Sequence, residues 1–409
     1  MTNTVMILGA NSLQLPIINK AGELGYQTVV VSPVPTEPGH AIATYSENCD
    51  VVDEEGVLAL AKKYDICGIL TDQTDLPVRT MAYVSGKLGL PGNDYEVARI
   101  FTDKYLMREK CKELGIKTMR YKMCHTLKEA EEFYLSLNTD AIIKPVDNQG
   151  SKGVGKVTSV EELRIKFEEA MAYSRCASVL VEEFIVGREF VVEGICVNYE
   201  FKNLACGDNT NFTIPDVFSA TKREFPSTAP REVVEKILAT NEKFVRGSGL
   251  KQGLTQTDII WDGKDAILFE IAARGGGAYV SSDLVHWQTG IEMEEFVLGV
   301  YTGKIDRIPD FSWQHKSSCY ISFFLPEGKV VKAEGLDEVI SLPYTNHNNY
   351  DTLFVGKEIG KNTDKTSRFI IAFEAKDHEE LMQRREDIIR MIKVDVVGAD
   401  GIVRGPIWE

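Results

Sequence analysis

IIKPVDNQGSKGVG, residues 142–155, is the stretch on which the reading of this chain turns. An apolar strand ends at Lys144-Pro145, and a glycine-rich loop with a second lysine, Lys152, opens directly after it. Amides exposed around Gly150, Gly153 and Gly155 can wrap phosphate oxygens, Lys144 adds a point charge, and Ser151 adds a hydroxyl donor. GxxxxGK[ST] is absent, so this is not a Walker A loop. A hairpin turn with solvated lysines is the plainer reading, and the loop alone does not choose.

Two later stretches narrow the choice. In VEEFIVGREFVVEG (181–194) a strand carries Glu182 and Glu183 beside Phe184 and Ile185, turns at Gly187, and resumes with Glu189. An adenine ring needs an apolar slot with backbone polar groups at its edge, which a strand end offers, and a carboxylate past the turn can accept from ribose hydroxyls. An acidic surface hairpin is the competing reading. In TQTDIIWDGKDAILFEIAARGGG (255–277), Asp258 and Glu270 lie on consecutive apolar strands joined across Asp262-Gly263. An odd loop count would set them opposite each other, with Cβ atoms about 5 Å apart. Two carboxylates so placed repel unless a hard cation sits with them. Arg274, followed by Gly275 and Gly276, is suited to an anionic substrate or a developing phosphoryl charge. An internal carboxylate–arginine salt bridge would be the structural alternative.

Outward from these stretches the pattern is α/β and α+β. TVMILG (4–9), a helix over Leu13–Leu24, a strand over Thr28–Ser32, a helix near 55–64 and a strand over Gly68–Thr71 read as parallel βαβ units. Ligands gather at the carboxyl ends of such strands, here Gly9-Ala10-Asn11-Ser12 and Thr71-Asp72-Gln73-Thr74-Asp75. The first lacks a full GxGxxG, which argues against a dinucleotide site. Helices are expected over Asp103–Leu114 and Leu127–Leu137, then strands through 141–200 (including KVTSV and REFVVEGICV), a helix over Pro230–Arg246, and a third segment from about 310 closing on a helix over His378–Ile392.

Taken in order, Lys104, Lys144-Pro145, Ser151-Lys152-Gly153-Val154, Glu182-Glu183-Phe184-Ile185, Glu189, Asp258, Glu270 and Arg274 resemble the nucleotide and metal framework of the ATP-grasp superfamily. EIAARGGG is most similar to L-amino acid ligases and carbamoyl-phosphate-synthase-like carboxylate–amine ligases. The resemblance implies an N-terminal pre-ATP-grasp α/β domain (1–102), an ATP-grasp region (103–309, with a small lid subdomain about 120–190) and a C-terminal subdomain (310–409). It implies ATP and Mg²⁺ as cofactors, with Mn²⁺ a substitute. Lys104 and Lys144 would hold phosphates under the Ser151–Val154 loop, Glu182–Ile185 would line the adenine slot, and Glu189 would meet the ribose. Asp258 and Glu270 would bind the metal, Lys144 and Arg274 would be catalytic, and Arg274, Gly275 and Gly276 would meet substrate. Many members carry Glu-x-Asn-Pro-Arg at this point. This chain has Ala272 in place of the Asn, which leaves a second metal's coordination open.

The implied reaction phosphorylates a carboxylate and passes the acyl group to an amine, so its partners are small molecules. An ATP-grasp kinase or carboxylase is the alternative, and a homodimer is left open. The formal charge of −15 disfavours nucleic acid as a partner. No apolar run has the length of a bilayer span, no basic leader precedes the first strand, and eight cysteines show no zinc spacing. A soluble, cytoplasmic protein with reduced thiols is expected. No nucleophilic Ser or Cys is required. His286, near Asp283, reads more readily as structural than as a base.

Overall fold

A computed structural model describes residues 3–147, 152–215, 217–348, 353–360 and 368–409. The chain divides into two compact units. The first comprises residues 1–118, 190–206 and 229–312, and the second comprises 119–189, 207–228 and 313–409.

The first unit opens with a parallel sheet in the order Tyr45–Glu47, Gln27–Val31, Thr4–Leu8, Gly68–Leu70. Thr4–Leu8 is buried along its whole length, as expected for a strand covered on both faces. Its second sheet runs Ala266–Ala272, Gly253–Trp261, then the parts of Arg188–Val197 and Glu200–Asn211 that belong to this unit. The helix Arg231–Ser248 buries Ile237, Phe244 and Val245 in a core with Phe190, Val192, Ile259, Leu268 and Ile271.

In the second unit, four strands run in the order Tyr121–Cys124, Val179–Glu183, Ala141–Pro145, Gly155–Val157. The helices Leu127–Leu137 and Val160–Tyr173 supply Ala130, Leu137, Leu163 and Phe167 to the core on one face of this sheet. A longer antiparallel run places Ala220–Phe225, Ser317–Phe323, Phe369–Ala375 and Thr345–Asn348 side by side. Helix His378–Met391 closes its core with Leu381 and Ile388.

Several expected elements differ. KVTSV is not a strand throughout: pairing stops at Val157, and Ser159 caps the helix Val160–Tyr173 by accepting from the Glu162 amide at 3.1 Å. Ser-x-x-Glu before an apolar run is the signature of such a start. The first helix spans Leu15–Glu23 after a short 3₁₀ turn at Ser12–Gln14. Pro230 precedes rather than begins its helix, which runs to Ser248 and ends on left-handed Gly249. No helix among the described residues is long and apolar enough to cross a membrane.

Candidate functional site

The hairpin Gly253–Trp261 and Ala266–Ala272 pairs Asp258 with Glu270. It does so by a route other than the expected one. Trp261 pairs with Ala266, so the connecting loop holds four residues, 262–265, an even count. An even loop would set Asp258 opposite Phe269. The register instead shifts between Asp258 and Ile259, leaving Phe269 as an extra residue, a β-bulge. Core-facing residues are Ala266 and Leu268 before the bulge, and Ile271 and Ala273 after it. Since facing alternates along a strand, only the extra residue reconciles the two sets. The bulge therefore puts Glu270 on the face opposite the helix-packed core, with Asp258 as its cross-strand neighbour.

Gln256 occupies that same face two residues from Asp258, and Ala272 lies opposite Gln256. Arg274 follows, with a side chain 12% exposed. Its Nε and Nη2 lie 2.7 and 2.8 Å from the two carboxylate oxygens of Asp75, and its Nη1 donates to Gln256 Oε1 (2.6 Å) and to the Gly275 carbonyl (2.8 Å). Lys104 begins the helix Lys104–Glu113, which Asp103 caps by accepting from the amides of Tyr105 and Leu106. Its Nζ lies 3.7 Å from Glu270 Oε1. Thus Lys104, Asp258, Glu270 and Arg274 are brought to one end of the first unit.

The glycine turn after Arg274 is shaped by buried carboxylates. A Cβ on Gly275 would lie 2.6 Å from Asp72 Oδ1, and one on Gly276 would overlap Glu193, whose Oε2 accepts from the Gly276 amide at 3.3 Å. Both acids are buried, 4% and 2% exposed. Burial raises Asp72 to about 6, opposed by hydrogen bonds and the nearby Arg274 charge. Non-glycine residues Ala278 and Tyr279 then take left-handed backbone before a π-helical turn at Val280–Val285. Both features are uncommon and concentrate at functional sites. His286 bonds through Nδ1 to the Ile291 carbonyl at 3.0 Å.

In the second unit, Lys144 and Glu182 form a close ion pair with both side chains under 10% exposed. Ile142 pairs with Glu182 across the sheet, which puts Lys144 diagonal to it on the same face, while Ile143 and Val181 face the core. Glu183 is bound instead by Arg120, at 3.1 and 3.2 Å. The amides of Glu183 and Phe184 donate to the carbonyls of Arg120 and Asp140, so neither is left for an adenine edge. The Phe184 ring carries Lys156 Nζ 4.3 Å from its centre, and Ile185 is half-buried. Glu189 Oε2 accepts from Asn209 (2.7 Å) and Asn211 (2.8 Å). Ser151 lies outside the described residues. Lys152 is exposed, and Gly153 adopts φ +71° where a Cβ would sit 2.9 Å from the Tyr173 ring, so both backbone and space require glycine.

Sequence reasoning missed Gln256 and Glu193 as site residues, and named Asp75 only within a ligand-gathering strand end, with no role of its own. The signal for Asp75 was its place in the loop after a parallel strand. Glu193 had another, a carboxylate within an apolar strand. Gln256 had none.

Residues 102–212 match the ATP-grasp (A) domain of phosphoribosylglycinamide synthetase. The chain is 26% identical over 285 residues to the alanine–anticapsin ligase of Bacillus subtilis (strain 168), a match covering 63% of this chain and 59% of that protein. In structure it resembles the L-amino acid ligase of Bacillus licheniformis, with a TM-score of 0.79 at 20% identity over 96% of this chain and 98% of that one. The biotin carboxylase domain of Hydrogenobacter thermophilus 2-oxoglutarate carboxylase, solved with MgADP and bicarbonate, has a TM-score of 0.76 at 16% identity, over 99% and 92%. The fold is the one seen across the ATP-grasp superfamily, and residues 102–212 match an ATP-grasp domain. Within that superfamily its likeness extends to amino acid ligases, although the chain spans about three fifths of the curated ligase's length.

Proposed function

We propose that the chain is an ATP-dependent carboxylate–amine ligase that proceeds through an acyl phosphate and releases ADP and phosphate. The observation that carries this reading is the single hairpin face bearing Asp258, Glu270 and Arg274, with Lys104 against Glu270. In this reading residues 1–102 form the pre-grasp domain, 103–309 the grasp region with its lid at about 120–190, and 310–409 the C-terminal subdomain. The protein acts in the cytoplasm.

Phosphoryl transfer from ATP to a carboxylate is mostly positioning and charge neutralisation. Lys144, fixed by Glu182, and Lys104, beside Glu270, supply positive charge for the triphosphate. In the same reading the loop from Ser151 through Val154 would cover it. Phe184 and Ile185 offer apolar surface to adenine, and Glu189, its orientation set by Asn209 and Asn211, accepts from ribose. Opposed Asp258 and Glu270 are the hard oxygen donors that suit Mg²⁺ or Mn²⁺, which would neutralise phosphate charge when bound. Arg274 faces the acyl group beside the Gly275-Gly276 turn. An amine then attacks the acyl carbon and phosphate leaves.

The deciding experiment measures ADP release from MgATP across a matrix of carboxylates and amines, with the product identified by mass. An amide formed in equal amount to ADP supports ligation. ADP release that requires bicarbonate, or a stable phosphorylated product with no amine incorporated, would replace it with a carboxylase or a kinase.

A further inference from the structure

We infer that Asp75 is the positioning residue of this site, holding Arg274 in its working orientation from the loop after the strand Gly68–Leu70. The inference rests on the ligase reading for what Arg274 does, but its geometric basis is separate.

Two carboxylate oxygens of Asp75 meet two nitrogens of Arg274, Nε at 2.7 Å and Nη2 at 2.8 Å. Only the Nη2 contact has hydrogen-bond geometry; Nε and Oδ1 approach as an ion pair, so Asp75 fixes where the charge sits and the plane of the guanidinium is set together with the bonds on Nη1. Gln256 and the Gly275 carbonyl hold Nη1. The guanidinium is thus held on both sides, and Asp75 supplies the largest opposing charge, with Glu193 and Glu270 adding to it.

The loop carrying Asp75 is itself anchored. Thr71 donates its hydroxyl to the Leu8 carbonyl at 2.8 Å, and Gln14 donates to the Asp72 carbonyl at 2.8 Å. Gln73, in left-handed backbone, donates to the Leu13 carbonyl at 3.1 Å and accepts from the Tyr279 amide at 3.1 Å. One residue thereby ties this loop both to the 3₁₀ turn at Ser12–Gln14 and to the turn that follows Arg274. A non-glycine residue held in that conformation by two side-chain bonds marks a loop whose course is specified rather than incidental. The parallel-sheet loop and the glycine turn form one constrained assembly with the Asp75–Arg274 pair across it.

The test is a double-mutant cycle on the full chain. Asp75→Asn keeps size and removes charge. With the carboxylate–amine pair giving the fastest ADP release, it should lower kcat at least 30-fold and shift KM for ATP less than twofold. In an Arg274→Gln background, where nothing is left to position, the same change should cost less than twofold more. Equal losses in both backgrounds, or unchanged kcat in the single variant, would overturn the assignment. Asp75→Glu retains the charge one methylene further out and should lose 3- to 10-fold. It carries the test if the Asn variant does not fold. Amide hydrogen exchange of residues 274–279 in the nucleotide-free protein needs no turnover. Exchange should accelerate at least tenfold in Asp75→Asn, and unaltered exchange would reject the pairing whatever the reaction proves to be. Failure of the ligase reading shows separately, as a wild-type chain that forms no amide.

Discussion

The carbonyl of Phe269 accepts a hydrogen bond from Nη2 of Arg108 at 2.6 Å, and Arg108 is fully buried. Phe269 is the bulged residue that sets Glu270 opposite Asp258. A bulge removes a carbonyl from the regular ladder, and a buried carbonyl needs a donor. Arg108, on the helix that begins with Lys104, provides it. Arg108→Met should therefore cost about 3 kcal/mol in urea unfolding, since a charged hydrogen bond is lost and the bulge carbonyl left bare. A loss below ~1 kcal/mol would mean that the bulge is held by other contacts.

Glu270→Gln tests what the bulge is for. The substitution preserves shape and removes the charge that faces Asp258 and lies 3.7 Å from Lys104. We expect Mg²⁺-dependent ADP formation to fall at least 100-fold, with a melting temperature within about 3 °C of wild type because the side chain is only partly buried. Retained Mg²⁺-dependent turnover would remove Glu270 from the metal.

The Lys144–Glu182 pair separates stability from binding. Both groups are buried, so Lys144→Met removes the cation beside a carboxylate that is 2% exposed and should cost about 3 kcal/mol. Lys144→Met with Glu182→Leu removes both charges, and most of that stability should return. MgADP affinity, by calorimetry, should stay at least tenfold weaker in both variants if Lys144 meets phosphate. Affinity recovered along with stability would make the pair purely structural.

How much of this was legible beforehand follows from how far each signal reaches along the chain. Strand and helix periods are local, and the parallel strands, the capped helices at Lys104 and Leu127, and the chain order of Lys104, Lys144, Asp258, Glu270 and Arg274 could all be read from sequence. The opposition of Asp258 and Glu270 was inferred from loop parity, which the four-residue turn contradicts, and it holds only because Phe269 is extra. A bulge stabilised by Arg108, 161 positions away, leaves no local trace. Asp75 and Arg274 are likewise 199 positions apart. Long-range side-chain partners of this sort are what a reading by periodicity and motif does not supply, while the helix at Val160 was missed although its cap was in plain sight.

Glu294 offers a prediction in pH. It stands in the first turn of the helix Met293–Tyr301, where the helix dipole favours a carboxylate by up to ~1 kcal/mol. Burial outweighs this and, with negative Asp72, Asp283 and Glu292 facing it, pushes the carboxyl up to about 8; Lys20 is the nearby cation. A carboxyl whose folded pKa exceeds its unfolded value of 4.5 binds more protons folded than unfolded. Its contribution is therefore fully favourable below about 4.5 and is lost as pH rises through about 8. Asp72, raised to about 6, acts in the same direction over a lower window. Glu294→Gln removes the larger of the two effects. In urea unfolding the variant should be more stable than wild type by on the order of 2 kcal/mol at pH 8.5 and equal to it within ~0.5 kcal/mol at pH 5. A variant that is less stable at the higher pH, or a difference that does not grow between the two, would show that Glu294 is ionised and compensated in the folded protein.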